Sequence, residues 1–138
     1  MPEQSPLPFA KIQAAMNAMI EKVTQGPDVV VAIAIVDNTG NLLAYAQTGQ
    51  LRLFSRRHAI RKAYTAAVMG MDTGIHARKL KEQGRSISEL GDPQLSPTQG
   101  GLVIKRDGTI LGGIGVGGFD GGHLDEALAQ VGLAIILE

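Results

Sequence analysis

The chain has 138 residues, 13 Lys plus Arg against 13 Asp plus Glu, 44% hydrophobic and 19% charged residues, and no Cys. That is one domain's worth of chain with an ordinary globular composition, expected to fold as a single unit over 1–138. Zero net charge argues against affinity built on many phosphate contacts, so nucleic acid is not an expected partner. The lack of Cys excludes disulfides, thiolate nucleophiles and cysteine-ligated zinc or iron–sulfur centres.

Residues 1–7 read as a flexible, Pro-containing tail. From Pro8 to Thr24, Ile12, Ala15, Met16, Met19, Ile20 and Val23 recur at three- and four-residue steps, which predicts an amphipathic helix stopped by Gly26-Pro27. The β-branched run Val29–Val36, the turn Asp37-Asn38-Thr39-Gly40 and Leu42–Ala46 predict a hairpin. A second helix is expected from Phe54 or Ser55 to Met69, with Ser55 as N-cap, Gly70 as stop, and Ala59, Ile60, Ala63, Tyr64, Ala67 and Val68 as its buried stripe. A third is expected over Thr73–Gln83.

Residues 85–99, with Gly91, Asp92, Pro93 and Pro97, read as a loop. Gly101–Lys105 and Thr109–Gly117 flank Asp107-Gly108, a hairpin signal. Leu124–Leu137 predicts a last helix. Helix, hairpin, two helices, hairpin, helix is the order of an α+β fold, in which two hairpins merge into one antiparallel sheet with helices packed on it. Nothing at the N-terminus reads as a basic region before an apolar stretch, and no run nears the ~20 apolar residues of a membrane span, so a cytoplasmic protein without membrane contact is expected.

The 18 glycines are roughly twice the usual ~7% share and crowd into the stretch from Gly108 to Gly122. Alternation along the fourth strand puts Ile110, Gly112, Ile114 and Val116 on one face and Leu111, Gly113, Gly115 and Gly117 on the other. The bare face invites a close approach, by a helix, by another subunit or by a ligand lying on Gly113, Gly115 and Gly117. Gly113-x-Gly115-x-x-Gly118 matches the dinucleotide pattern only as a string, because one helix follows it and no βαβ unit. Asp120 and His123 sit where they could cap the last helix or help its N-terminus receive an anion.

His58, Lys62 and Thr65 share one side of the second helix, beside Arg56, Arg57 and Arg61. Neighbouring positive charge should keep His58 neutral, available as a base or ligand. Arg57, Arg61 and Thr65 are candidates to bind a carboxylate, with His58 and Lys62 as the catalytic pair. The three histidines, His58, His76 and His123, lack the spacing of a local zinc site, and no metal centre is expected.

Val31–Leu43, Ala59–Ala67, Gly100–Ile104, Ile110–Gly118 and Leu124–Gly132, in that order, resemble the GlcG/HbpS family, also called the haem-degrading domain family and shared by the C-terminal domain of PduO. The resemblance covers nearly the whole chain from about residue 10. It implies a profilin-like α+β fold, assembly into dimers or higher homo-oligomers and, as in several members, haem binding with degradation and iron release. Ligation in some members is attributed to a histidine near the start of the domain. This chain has none before His58, and Val103 replaces the family's usual Pro, so haem would need another ligand here. Haem binding is one functional reading. A cofactor-free isomerase, hydratase or lyase acting on a small organic acid or carbonyl compound is a second, and an assembly module without chemistry is a third.

Overall fold

The computed structural model describes residues 7–26 and 28–138. The expected tail falls outside the described residues except at Leu7, whose side chain is buried in the core. Helix α1 (Phe9–Thr24) leads to the hairpin β1 (Ala32–Asp37) and β2 (Leu42–Gln47). Helices α2 (Leu53–Met69) and α3 (Thr73–Glu82) follow, then the hairpin β3 (Gly101–Arg106) and β4 (Thr109–Gly117), and last α4 (Gly122–Ile136). Within the expected loop, Ile87–Leu90 forms a short 3-10 turn, with the Ser86 side chain accepting a hydrogen bond from Ser88 N–H.

The two hairpins merge into one antiparallel sheet of order β2-β1-β4-β3, as an α+β chain of this element order should. Its central strand β1 is buried from Ala32 to Val36, which explains the unbroken apolar run at that point. α1 and α4 cover one face over the main core of Ile12, Met19, Ile33, Ile35, Ile114 and Leu128, and α2 covers the other.

One predicted alternation breaks. The β3–β4 ladder pairs Ile104 with Gly112 and Lys105 with Ile110, so Leu111 is an extra residue in a bulge. Beyond the bulge Ile110 reaches the end of α2, where its Cδ1 would lie 2.8 Å from a Cβ on Gly70, while Leu111 packs on the main core. Ile110 therefore does not share a face with Gly112, Ile114 and Val116.

Candidate functional site

α2 carries most of the expected site residues, but its buried face is Ala59, Lys62, Ala63, Thr65, Ala66 and Ala67. Ile60 and Tyr64 are half-buried and Val68 is exposed, contrary to the predicted stripe. The glycine face of β4 causes the rotation. A methyl group on Gly113 would overlap Ala63 O, one on Gly115 would overlap Ala59 O, and one on Gly117 would lie 2.7 Å from Ser55 O. With strand and helix backbones this close, only small side chains fit between them, and the bulky ones turn to the flanks. Gly113, Gly115 and Gly117 are thus a seat for α2. The ligand floor considered for them is filled by the chain itself.

The start of α2 also differs from expectation. Arg52 is the N-cap and makes no side-chain capping bond, and Ser55 lies inside the helix. At α4 the N-cap is Gly121, so neither Asp120 nor His123 caps it by its side chain. Asp120 is exposed and makes no hydrogen bond or ion pair among the described residues. His123 is exposed, with its ring lying over Gly121, where an added Cβ would be 2.8 Å from Cε1.

A groove of about 430 Å³ runs between α2 and the start of α4, lined by Phe54, His58, Lys62, Thr98, Phe119 and Asp125 among others. Phe54, His58 and Lys62 fall on it together because they are spaced four residues apart on one helix. Lys62 forms the floor, donating to Asp125 Oδ2 and to Val116 O, both at 2.9 Å. Asp125 Oδ1 accepts from Phe119 N–H at 3.2 Å. Burial raises the Asp125 carboxyl above its ordinary range, and its bonds to Lys62 and Phe119 only partly oppose that. Lys62 is committed to structure, and the proton-shuttle role suggested for it gives way to that of a tie between α2, β4 and α4.

Thr65 is likewise internal. It is fully buried, its Oγ1 donating to Arg61 O at 2.7 Å and accepting from Ser96 N–H at 2.8 Å, so it anchors the 85–99 loop instead of meeting a ligand. That loop delivers Thr98 and Ser96 to His58. His58 Nε2 lies 2.5 Å from Thr98 Oγ1 and 3.3 Å from Ser96 Oγ, and the two hydroxyls are 2.8 Å apart. The imidazole stacks on Phe54, with centroids 4.9 Å apart and planes 22° apart. Its Nδ1 makes no hydrogen bond among the described residues.

His58 is held neutral as expected, with its pKa lowered to about 4. Burial is the largest cause, and the charges of Lys62 and Arg61 add to it, whereas the sequence had suggested the charges alone. Arg61 is half-buried and close enough to act on His58, while Arg57 is exposed. Neither makes an ion pair among the described residues.

Phe54, Thr98, Ser96, Phe119 and Asp125 were not singled out from sequence. Phe54 had a readable signal, one helical turn before His58. Thr98 and Asp125 had none, because loop closure and the meeting of α2 with α4 bring them in.

A planar iron-bearing ligand such as haem needs an apolar wall, a neutral donor nitrogen and cations for its carboxylates. The groove offers Phe54, Phe119 and the unbonded Nδ1 of His58, and Arg61, although it does not line the groove, lies close enough to act electrostatically on His58. When Nε2–H donates to Thr98 Oγ1, the Nδ1 lone pair is free and the ring orientation is set, which is how outer partners usually fix a metal-binding histidine. These residues fit the group.

A family model described as haem degrading protein HbpS-like matches residues 7–134. Among solved structures, a double mutant of Streptomyces reticuli HbpS is 27% identical with a TM-score of 0.85, covering 99% of this chain and 90% of that one. A PduOC:heme complex is 26% identical with a TM-score of 0.83, covering 94% of each chain. Klebsiella pneumoniae protein ORFY shares the fold at 24% identity and a TM-score of 0.84, covering 99% of this chain and 94% of that one. A search of curated proteins finds no match.

Proposed function

The chain belongs to the family of HbpS-like haem degrading proteins, and on that premise we propose that it binds haem in the groove between α2 and α4, with His58 as the iron ligand. The observation that carries this reading is the state of His58: neutral, stacked on the exposed ring of Phe54, tethered through Nε2 and without a partner at Nδ1. A ring whose pKa is about 4 needs no deprotonation to coordinate at neutral pH. Haem bound there would supply a redox-active iron.

The chain's own residues divide the remaining work. Thr98 orients the imidazole, Phe54 and Phe119 give the groove apolar surface, and Arg61, close to His58, would offer its guanidinium to a propionate. The Lys62–Asp125 pair holds both walls at a fixed separation. Phe54, which lines the groove, is 66% exposed and its neighbour Leu53 is 49% exposed, apolar surface that a bound macrocycle or a second copy in a homo-oligomer would cover.

Hemin titration followed by absorbance tests the proposal. The wild type is expected to shift the Soret band and saturate at one haem per chain. A His58→Ala variant that binds with unchanged affinity and an unchanged spectrum overturns it.

A further inference from the structure

On the other side of α2, Arg56 lines a second groove of about 480 Å³ with Gln47, Gln50 and Leu51, between the edge strand β2 and the first turns of the helix. Residues 56 and 58 are two apart, which separates their directions by roughly 200° around a helix axis, so this groove is distinct from the His58 site. Arg56 Nε is enclosed and has no acceptor among the described residues. The ion pairs among those residues are Lys62–Asp125 and Arg85–Glu89, and neither uses Arg56.

Of the two amide side chains that line the groove, that of Gln47 is already engaged. Gln47 Oε1 takes the Tyr45 hydroxyl proton at 2.9 Å, and Gln47 Nε2 donates to Gly49 O at 2.8 Å. Positive charge is also left unbalanced there. The first turn of α2 holds no acidic residue, and its N-cap is Arg52, although the helix dipole favours negative charge at that end. Burial raises the Tyr45 phenol and the Arg56 charge opposes that, which places the guanidinium within electrostatic reach of the ring.

An enclosed N–H in a native fold calls for an acceptor, and the described residues supply none to Arg56 Nε. We propose that the Arg56 groove is a binding site for a small carboxylate, taken by the guanidinium with the Gln50 amide beside it. The guanidinium fork matches a planar carboxylate, and one lining cation balances one carboxylate charge, not a phosphate dianion.

The test is a titration of the ¹⁵N-labelled protein with sodium acetate, sodium chloride holding ionic strength constant, read at the Arg56 Nε–Hε and Gln50 side-chain amide signals. Both should move together and saturate, with a Kd on the order of millimolar. In Arg56→Gln the Gln50 response should weaken at least tenfold while the backbone spectrum elsewhere is kept. Arg56→Lys, which keeps the charge and loses the fork, should also weaken it and serves if the first variant does not fold. The proposal is overturned by a response that does not saturate, by one that survives in both variants, or by inorganic phosphate binding more tightly than acetate. It is also overturned if the signals move on dilution without acetate, since a second copy would then be the source of the acceptor.

Discussion

Lys62 Nζ lies 2.9 Å from Asp125 Oδ2, and both side chains are sealed from solvent, at 4% and 5% exposure. The contact joins the middle of α2 to the first turn of α4, and the further bonds to Val116 O and from Phe119 N–H fix the end of β4 and the loop that follows it. The walls of the His58 groove are set by this one network.

Removing one partner leaves the other charge buried. Lys62→Met should therefore lower unfolding stability by about 3–5 kcal/mol. The double variant Lys62→Met/Asp125→Leu should recover part of that loss, because it removes both charges together. Urea denaturation of the two variants checks this, and a Lys62→Met midpoint equal to wild type would show the pair to be energetically idle.

Gly115→Ala should cost about 3 kcal/mol. The new methyl would overlap Ala59 O and fall 2.5 Å from Ala63 N, both backbone atoms of α2 that cannot swing aside. The glycine's φ is not in the left-handed region, so the penalty is steric alone. Thermal unfolding reads it, and an unchanged midpoint would mean that α2 can lift from the sheet without loss.

These glycines also show how much the sequence disclosed. Element order, both hairpins and the α+β class were legible because each rests on local signals: the apolar spacing before Gly26, the β-branched run at Val29–Val36, the Asp107-Gly108 turn. The bare face of β4 was legible too, but its occupant was not, since a helix and a ligand ask the same thing of a strand. His58 could be picked out as neutral, whereas its main cause, burial, depends on the Thr98 loop closing over it. The fates of Lys62 and Thr65 were hidden for a similar reason. Their partners, Asp125 and Ser96, lie 63 and 31 residues away in the chain.

His58 gives stability a pH dependence of known sign. Its folded pKa of about 4 lies below the ordinary 6.5, so between those values the unfolded chain binds more protons. The contribution is fully present above pH 6.5 and is lost as pH falls through about 4. Asp125 acts in the opposite sense: its raised pKa makes stability fall as pH rises above 3.8. His58→Gln should remove the first slope and keep the second. Urea midpoints across pH 4–7 for both proteins decide it, and identical profiles would contradict the burial of the imidazole.

Phe54 is 66% exposed, so Phe54→Ala should change folding stability by less than about 0.5 kcal/mol. The same change removes the ring that stacks on His58 and should weaken hemin binding about tenfold, the equivalent of about 1.4 kcal/mol. Fluorescence-detected hemin titration beside thermal melts separates the two effects. A stability loss with unchanged hemin affinity would place Phe54 in the fold and outside the site.

Coordination of iron by a His58 nitrogen is read by resonance Raman spectroscopy of the haem complex after reduction of the iron to the ferrous state with dithionite. The wild type, His76→Ala and His123→Ala should each show an iron–imidazole stretching band, and His58→Ala should lack it. A band that persists in His58→Ala, or one that disappears in His123→Ala instead, would contradict the assignment.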